Sequence, residues 1–526
     1  MKKQLRTNLR NCKSNSGKEQ MAAAVSGEII KKSKLVTTLE KEGIMTSHLQ
    51  RKILKKNTPR HVVKKNVRIS RVRKLKDLVE GFFLDDENST QTPGKKDVVR
   101  QRGRKKGEMR QKRYLNFSLR DLHRNFLKKS NEKIGYTTFI KLKPFWVIDK
   151  KLTDRDTCRC AKCDNMDFKI SKLYMLHLAD VKNTKELLQK VSCDVQNHDC
   201  MYGLCAKCRV KKMPKPDSHH ESENVQTFYY EWQKVTIKKK NKQGNEIDKQ
   251  VTKKMKIHAD SDTLIKKVDA ELASMSIHSY NIHHQLKSLK EMKTNLRVNE
   301  AIILMDFSEN YECKYASEVQ GSHFGASKLQ LSLHTGVVYF SKDVDADKTF
   351  FPFCTVSEDL THKSDGVWAH LTPVIRKARA LNPELDTIHF CSDSPTSQYR
   401  NKSTIWLLTQ MCPSFGIHKA TWNYSEAGHG KNSADGLGGL IKRSADKLVL
   451  HNKDITNAQD LLDGLGHLKV FLSLITEDEI KAFRSLIPAD LQPIPQTLKI
   501  HQIAWQNSAP TKIGVRKLTC QSCALL

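Results

Sequence analysis

The sequence predicts an α/β fold in which a mixed sheet is flanked by helices, with a small cysteine-rich module and a basic arm before it. Two apolar runs of strand length, residues 301–305 and 388–392, are each followed directly by an aspartate, Asp306 and Asp393. A Gly-rich acidic element follows at residues 426–439. Carboxylates at separate strand ends, with a third acid on a following helix, suit two divalent cations that hold the attacking and leaving oxygens of a phosphodiester.

Positive charge is concentrated in the N-terminal part of the chain. The formal net charge is +35, and residues 1–150 contribute +26 of it, from 40 Lys and Arg against 14 Asp and Glu. Such asymmetry favours nucleic acid or an anionic membrane as a partner. No apolar stretch reaches the roughly 20 residues that a membrane helix needs, and the N-terminus lacks the apolar core of a secretory signal. We therefore expect DNA and no membrane as the partner, and a reducing compartment in which cysteines are thiols or metal ligands.

The basic part is expected to consist of two pieces. Residues 1–95 mix Lys, Arg, Ser and Asn with short apolar patches, which is typical of a mostly disordered arm with helical fragments. Residues 96–150 are expected to form a basic helical unit, with an amphipathic helix over 119–127 and a second short helix from 136. These helices could be a DNA-binding helix-turn-helix or a small packing unit. The basic residues expected to contact DNA are Arg100, Arg102, Arg104, Lys105, Lys106, Arg110, Lys112 and Arg113.

Half of the 14 cysteines lie in one module, which we place at residues 151–212. Cys205 and Cys208 have the spacing of a zinc knuckle, in which two thiolates grip one tetrahedral ion. With His177 or His198 as further ligands, the module could furnish one or two four-ligand Zn²⁺ sites, and the alternative is a set of scattered buried thiols. The spacing does not show which thiols share an ion. The expected zinc ligands are Cys158, Cys160, Cys163, Cys193, Cys200, Cys205 and Cys208.

The rest of the chain is expected to form three further segments. Residues 224–298 contain a long hairpin and connecting helices. Residues 299–485 form the catalytic core. Residues 486–526 form a tail with an isolated Cys-x-x-Cys pair, Cys520 and Cys523.

The order of elements within residues 299–485 predicts the fold of the core. After the strand that precedes the first aspartate, residues 329–340 are interpreted as two strands around Gly336. A helix over 367–380, the strand before the second aspartate, a helix, a strand over 420–424 and a last helix complete the order. Acids at the ends of the first and fourth strands and on the last helix match an RNase H-like mixed sheet.

Each acid also has an ordinary structural interpretation. Asp306 could close a turn at the end of its strand, and Asp393 could cap a helix. The third acid of the site is either Glu426 or Asp435, which lies at the start of the Gly-rich helix.

The loop before that helix carries two further candidates. His429, three residues after Glu426, could bind a cofactor metal or orient another ligand, although a lone surface histidine is the commoner case. Lys431 could contact a DNA phosphate or belong to a solvated basic face.

Several short motifs of the chain occur together in one known family. The matching segments are residues 93–97, 133–139, 142–146, the cysteine module, 305–311, 392–399, 426–431 and 435–436. Together they make residues from about 90 to 523 resemble a family of transposon-derived proteins of animal genomes. The resemblance implies an RNase H-like, DDE-type transposase core with carboxylate-bound Mg²⁺ or Mn²⁺. Glu426 and His429 look like the acid-x-x-His signature that some such transposases carry before their last catalytic acid, which favours Asp435 as the third acid.

The sequence therefore predicts a transposase-derived protein that binds, cleaves and joins DNA, with metal ions held by Asp306, Asp393 and Asp435. Two alternatives stay open: a catalytically inactive, domesticated DNA-binding or chromatin protein, and a metal-dependent nuclease without strand transfer. DNA as a partner implies a nuclear location, and self-association into a homo-oligomer is an open expectation.

Overall fold

The structure is a computed structural model of the chain, and it describes most residues after position 72. The described stretches are residues 73–85, 87–92, 97–101, 109–130, 132–149, 160–214, 224–240, 246–325, 328–341 and 349–523. The expectation of a disordered arm concerns residues that lie mostly outside these stretches. The site candidates that also lie outside them are Cys158, Arg102, Arg104, Lys105 and Lys106.

The chain divides into two compact units. The first comprises residues up to 89 together with 116–144, and the second comprises 90–115 together with 145–526. The helices and the basic strands of residues 96–150, which were expected to form one unit, belong to different units.

In the described part of the first unit, three helices surround an aromatic core. They are α1 (residues 73–84), α2 (Leu119–Lys129) and α3 (Tyr136–Leu142). Ser118 caps α2, since its side chain accepts a hydrogen bond from the backbone of Asp121. The rings of Phe83, Phe126 and Phe139, one from each helix, are buried, and Phe139 lies 4.8 Å from Phe83 and 5.3 Å from Phe126 between ring centroids. Both short helices expected from the sequence are present.

Five short strands precede the cysteine module. They are β1 (Ser89–Gln91), β2 (Val98–Arg100), β3 (Met109–Gln111), β4 (Arg113–Leu115) and β5 (Val147–Ile148). β1, β4 and β5 form a small sheet, whereas β2 and β3 pair as a hairpin. The parallel pairing of β4 with β5, and the Arg110 guanidinium over the Trp146 ring, place the basic strands in the second unit.

A layer of helices and one long hairpin comes next. Its elements are α4 (Ala161–Met175), α5 (Thr184–Val191), α6 (His198–Met201), β6 (Gln226–Lys240), β7 (Glu246–Asp260) and α7 (Ser261–Thr294). The expected hairpin is confirmed by the antiparallel pairing of β6 with β7. Buried residues of α4 to α7 and β6 share one core, so the two segments expected as separate form one layer. In this layer Lys169 of α4 is fully buried. Its Nζ lies 3.0 Å from a carboxylate oxygen of Glu231 on β6 and 2.5 Å from one of Glu271 on α7.

A mixed sheet of eight strands forms the centre of the second unit. The strands are β8 (Glu300–Glu312), β9 (Gln330–Phe340), β10 (Thr349–Ser357), β11 (Thr387–Ser392), β12 (Lys419–Tyr424), β13 (Phe471–Leu474), β14 (Gln502–Gln506) and β15 (Gly514–Arg516). Their order in space is β13, β10, β9, β8, β11, β12, β14, β15. β8, β9 and β10 are antiparallel neighbours, whereas β11 runs parallel to β8 and β12 parallel to β11.

Helices cover both faces of this sheet. They are α7 together with α8 (Gln320–Gly325), α9 (Ser364–Leu381), α10 (Lys402–Ser414), α11 (Ser433–Leu450), α12 (Ala458–Leu465), α13 (Glu477–Leu486) and a 3₁₀ turn at Thr497–Lys499. Ile303 of β8 belongs to the core that includes α9 and α10, whereas Ile302 and Leu304 belong to the core that includes the end of α7. β8 is apolar at successive positions because both of its faces are buried.

Gly336 corrects the expectation of two strands over residues 329–340. The segment is the single strand β9, and the glycine lies inside it. A β-carbon at Gly336 would lie 2.3 Å from the backbone oxygen of Leu304 and 2.4 Å from the ring of Phe353. The glycine therefore permits close packing within the sheet and does not mark a turn.

The C-terminal part also differs from expectation. β13 lies between α12 and α13, and the expected tail contributes β14 and β15 to the central sheet. Cys520 and Cys523 form a disulfide, contrary to the expectation of reduced thiols. Among the described residues, no helix has both the length and the apolar character needed to cross a membrane.

Candidate active site and metal centres

Two of the three candidate acids lie side by side on neighbouring parallel strands. Leu304 of β8 is in register with Cys391 of β11, so Asp306 and Asp393 lie level, two residues further along each chain. β11 ends just before Asp393, whereas β8 continues past Asp306 and pairs with β9 alone. Neither ordinary interpretation applies, because Asp306 lies inside a strand and the N-cap of α10 is Asn401.

The third acid, Asp435, lies in the first turn of α11. Its carboxylate accepts a hydrogen bond of 2.8 Å from the backbone of Asn432, which is the N-cap of the helix. The Thr335 hydroxyl on β9 donates to the backbone oxygen of Ala434 at 3.1 Å and so ties this end of α11 to the sheet. A β-carbon at Gly438 would lie 2.1 Å from the Ser308 hydroxyl oxygen, so only a glycine allows α11 this close to β8.

Burial and neighbouring carboxylates raise the proton affinity of Asp306 and Asp393. Burial, followed by the charges of Asp393 and Asp435, raises the pKa of Asp306 to about 9. Burial and the charge of Asp435 raise the pKa of Asp393 to about 7, against the opposing charge of Arg400. Among the described residues, Oδ1 of Asp393 is buried without a hydrogen-bond partner. Asp306 and Asp393 are therefore partly buried acids whose protonated forms are more favoured than in an exposed carboxyl group.

A buried aromatic and histidine cluster surrounds the acids. His334 Nε2 lies 3.1 Å from the hydroxyl of Tyr399, and both side chains are fully buried. Phe307, next to Asp306, stacks on His362 with ring centroids 4.2 Å apart. Burial, then the charges of His370 and His362, lower the pKa of His334, so a neutral imidazole is favoured there. These histidines could not be singled out from the sequence, because each is an isolated residue in an otherwise ordinary strand, loop or helix.

A first group that could hold a metal ion combines two cysteines and two histidines. The ligand atoms of Cys160, Cys163, His278 and His429 all lie within 4.8 Å of one another. Cys160 Sγ lies 3.4 Å from His278 Nε2, and Cys163 Sγ lies 3.5 Å from His429 Nε2. The cysteines lie at the start of α4, His278 lies on α7, and His429 lies in the loop between β12 and α11. His278 was missed from the sequence, since its sulfur neighbour is 118 residues away.

Glu426 is bound to the histidines and not to the other acids. Its Oε1 lies 2.7 Å from His278 Nδ1, and its Oε2 lies 2.7 Å from His501 Nε2 and 3.0 Å from the Asn281 amide nitrogen. Burial disfavours the charge of Glu426, but hydrogen bonds from His278, His501 and Asn281 outweigh it and lower the pKa. The structure thus differs from the assignment of Glu426 as the third acid, because both carboxylate oxygens already serve this network.

A second group consists of four cysteines and could hold a metal such as zinc. The sulfur atoms of Cys193, Cys200, Cys205 and Cys208 lie within 4.8 Å of one another. The buried Lys211 donates to the backbone oxygens of Cys200 and Cys208, at 2.7 and 2.9 Å, and holds the knuckle closed.

Seven of the metal ligands proposed from the sequence, six cysteines and His429, lie in these two groups. His177 and His198 belong to neither group. Of the described residues, only these two groups bring three or more ligand atoms within 4.8 Å of one another, and the three acids do not. A pair of metal ions about 3.5–4 Å apart spreads its ligands further than a single ion does.

The candidate DNA-binding residues fall into different environments. Arg100 and Arg110 are exposed, Lys431 is partly buried, and Lys112 lies 4.0 Å from Asp97. Arg113 corrects the expectation of a phosphate contact, because it is 7% exposed and its guanidinium donates to the side chain of Gln91. Its burial follows from its place in β4, between β1 and β5.

Comparison with known families gives two matches. Residues 285–518 match the family described as Domain of unknown function (DUF8701), and residues 71–151 match Domain of unknown function (DUF8699). No curated protein and no solved structure matches the chain. The first match includes the central sheet, the three acids and Glu426 with His429, whereas Cys160, Cys163 and the four-cysteine group lie outside both matches.

Proposed function

We propose that this chain is a transposase-derived, RNase H-like protein that binds DNA and cleaves and joins its strands with Mg²⁺ or Mn²⁺. The observation that carries the proposal is the convergence of Asp306, Asp393 and Asp435 from two parallel strands and one helix. The succession β8, β9, β10, α9, β11, α10, β12, α11 supports it, because acids on the first strand, after the fourth strand and on the last helix are the pattern expected of such a core.

The donor set fits hard divalent cations. Carboxylate oxygens are the ligands that Mg²⁺ and Mn²⁺ prefer, and the orphaned Oδ1 of Asp393 offers one without breaking a hydrogen bond. Asp306 and Asp393 would each lose a retained proton on metal binding. Bound ions would lower the pKa of an attacking water or 3′-hydroxyl and stabilise the leaving oxygen.

The surrounding residues fix the acids in place. The guanidinium of Arg400, which is 3% exposed, donates to the backbone oxygens of Leu498 and Ser425, at 2.8 and 3.4 Å. Its charge favours the ionised form of Asp393. The bond from Asn432 holds Asp435 in one orientation toward the sheet. Precise placement matters because phosphodiester cleavage depends on the alignment of the attacking and leaving oxygens.

DNA is the proposed partner, the nucleus the proposed location, and a homo-oligomer the proposed assembly. The support is the net charge of +26 in residues 1–150, together with exposed Arg100 and Arg110. Deletion of residues 1–72 should weaken binding to any DNA sequence. This deletion ends before the first described helix and so leaves the described elements of both units in place. The slope of binding against salt should become shallower by about 0.9 for each phosphate that the shortened chain no longer neutralises. An unchanged slope would remove the arm from the contact surface.

The central test is Asp306→Asn in the full chain. Nicking of supercoiled DNA and joining of a labelled oligonucleotide, both with Mn²⁺, should be abolished, while DNA binding persists. Glu309→Gln is the matched control, because this acid lies on the same strand with its side chain 93% exposed. Binding without nicking in the unaltered protein would establish the inactive alternative, and nicking without joining would establish the nuclease.

A further inference from the structure

One loop connects the cysteine–histidine group to the three acids. It runs from Ser425 to Asn432 between β12 and α11. It carries His429, whose ring nitrogen lies 3.5 Å from the Cys163 sulfur, and it leads directly into the turn that carries Asp435. Asp435 therefore lies only six positions after His429 in the chain.

We propose that Cys160, Cys163, His278 and His429 bind one zinc ion, and that this ion positions the acid site through the loop. The positioning half of the proposal rests on the proposed function, because it concerns the same three acids. The binding half stands without it, since it depends on the ligand set alone.

The distances fit a tetrahedral ion. With Zn–S bonds of about 2.3 Å and Zn–N bonds of about 2.0–2.1 Å, neighbouring sulfur and nitrogen ligands lie about 3.5 Å apart. The two observed separations, Cys160 Sγ to His278 Nε2 and Cys163 Sγ to His429 Nε2, are 3.4 and 3.5 Å. Two sulfur and two imidazole ligands in this geometry are typical of Zn²⁺.

The histidine on α7 is held as metal-bound histidines are. His278 directs Nε2 at the sulfur of Cys160 and donates Nδ1–H to Glu426 at 2.7 Å. A carboxylate in this position fixes the tautomer and orientation of a ligating imidazole. Glu426 is itself fixed by His501, whose Nδ1 donates to the backbone oxygen of Lys517 at 2.6 Å. Glu426 is therefore a positioning residue for the metal site.

The loop is packed tightly against both groups. Gly428 has φ of +77°, and a β-carbon there would lie 3.1 Å from Cβ of Cys160. Gly430 faces the other way, since a β-carbon there would lie 2.5 Å from Cβ of Asp393. A loop with glycine contacts on both sides transmits a displacement of His429 to Asp393 and to the start of α11. Loss of the ion would release His429 and, with it, the fixed approach of α11 to the sheet.

Zinc content tests the binding half. The purified full chain should hold two Zn²⁺ ions by native mass spectrometry, one in each ligand group. His429→Ala and Cys205→Ser should each hold one, and His283→Ala, an exposed histidine on the same helix as His278, should hold two. An equal number of ions in His429→Ala and in the unaltered chain would overturn the site.

Glu426→Gln tests the outer carboxylate. The change keeps the shape but removes the charge and one of the two acceptor oxygens, so zinc affinity in competition with a chromophoric chelator should fall about 10–100-fold. The visible absorption of the Co²⁺-substituted Cys205→Ser protein reports the Cys₂His₂ group alone, and it should change in Glu426→Gln on that background. An unchanged spectrum and affinity would show that Glu426 does not orient the ligand.

Mn²⁺ binding tests the coupling. Measured by electron paramagnetic resonance on zinc-loaded protein, Mn²⁺ affinity should fall roughly 5–150-fold in His429→Ala. His429→Cys, which keeps a ligand of another type, should restore both the second zinc and part of the Mn²⁺ affinity. Equal Mn²⁺ binding by His429→Ala and the unaltered chain would overturn the coupling and leave the proposed function standing. No Mn²⁺ binding by the unaltered chain would instead defeat the proposed function, while the zinc count would still decide the new site.

Discussion

The acid site and the cysteine–histidine group lie on either side of one loop, but they differ in how their polar atoms are hydrogen-bonded. Asp306 and Asp393 are partly buried beside each other, and Oδ1 of Asp393 has no hydrogen-bond partner among the described residues. In the other group, Nδ1 of His278 is hydrogen-bonded to Glu426, and Glu426 is also hydrogen-bonded to His501.

Under the proposed function, this difference separates a zinc site that stabilises the fold from an acid site that performs chemistry. A ligating histidine whose other ring nitrogen is hydrogen-bonded keeps its orientation, and the ion that it holds binds as part of folding. Neighbouring carboxylates that repel one another raise the free energy of the folded protein, and pKa values perturbed in this way are characteristic of functional sites. The comparison predicts that loss of metal has opposite consequences at the two kinds of site: unfolding where thiols bind it, and loss of chemistry where acids do.

The largest effect is expected from a thiol ligand. Cys205→Ser removes one of four sulfur ligands, and the binding free energy of a structural zinc ion, about 10–16 kcal/mol, is available only to a folded site. We expect residues 193–211 to become sensitive to limited proteolysis, with loss of one Zn²⁺ per chain. Cys412→Ser is the control, because this thiol is buried but belongs to neither metal group. Equal protease resistance in the two variants would contradict a structural role for the ion.

The sequence predicted the core best where local pattern and tertiary environment agree. The strands that precede Asp306 and Asp393 were predictable because both faces are covered, which makes successive residues apolar. Their adjacency followed from the order of elements. Asp435 was favoured over Glu426 only through a resemblance, because no spacing rule distinguishes two acids nine residues apart.

Features that depend on contacts between residues far apart in the chain could not be predicted from the sequence. Gly336 was interpreted as a turn, although its role is to admit the ring of Phe353 from the next strand. His278 carries no spacing signature, because its partners lie on α4 and in the loop before α11. The short strands β13 to β15 add to the edges of an existing sheet, where pairing and not periodicity decides their conformation.

The acid site should make stability depend on pH in the opposite sense to ordinary paired carboxylates. The pKa of Asp306 is raised from 3.8 to about 9, so the folded chain retains a proton that the unfolded chain releases. Its contribution to the free energy of unfolding is fully present below pH of about 3.8 and is lost as pH rises toward about 9. Thermal unfolding of zinc-loaded protein without Mn²⁺ should show this decline, and Asp306→Asn should flatten it.

Mn²⁺ supplies the control for that pH profile. Ion binding to the folded state alone raises the midpoint of unfolding, and it replaces the retained protons as the compensating charge. We therefore expect the gain in melting temperature on Mn²⁺ addition to increase with pH in the unaltered chain and to vanish in Asp306→Asn. A gain that is independent of pH would show that the ion binds elsewhere.

A smaller effect is expected from a change that touches the acids without replacing one. In Gly430→Ala the new methyl group would lie 2.5 Å from Cβ of Asp393, so the loop or the acid must move. Overpacking of this kind costs about 1–3 kcal/mol of the free energy of unfolding. Mn²⁺-dependent cleavage should fall sharply while both zinc ions remain bound. Gly366→Ala is the control, since nothing lies within 4 Å of a β-carbon there, and it should leave cleavage unchanged.

The smallest effect is expected on the opposite side of the same loop. Gly428 has φ of +77°, and a left-handed conformation costs an ordinary L-residue about 1–2 kcal/mol. Gly428→Ala also places a methyl group against Cβ of Cys160, so zinc affinity at the cysteine–histidine group should fall while Asp393 is untouched. Gly428→Asn separates the two causes, because asparagine adopts this conformation more readily but carries the same β-carbon. If strain dominates, asparagine should restore zinc affinity, and if contact with Cys160 dominates, both variants should be equally weak. Cleavage should follow zinc occupancy across the pair, and cleavage that stays constant while zinc affinity falls would show that the two sites share a loop without sharing a function.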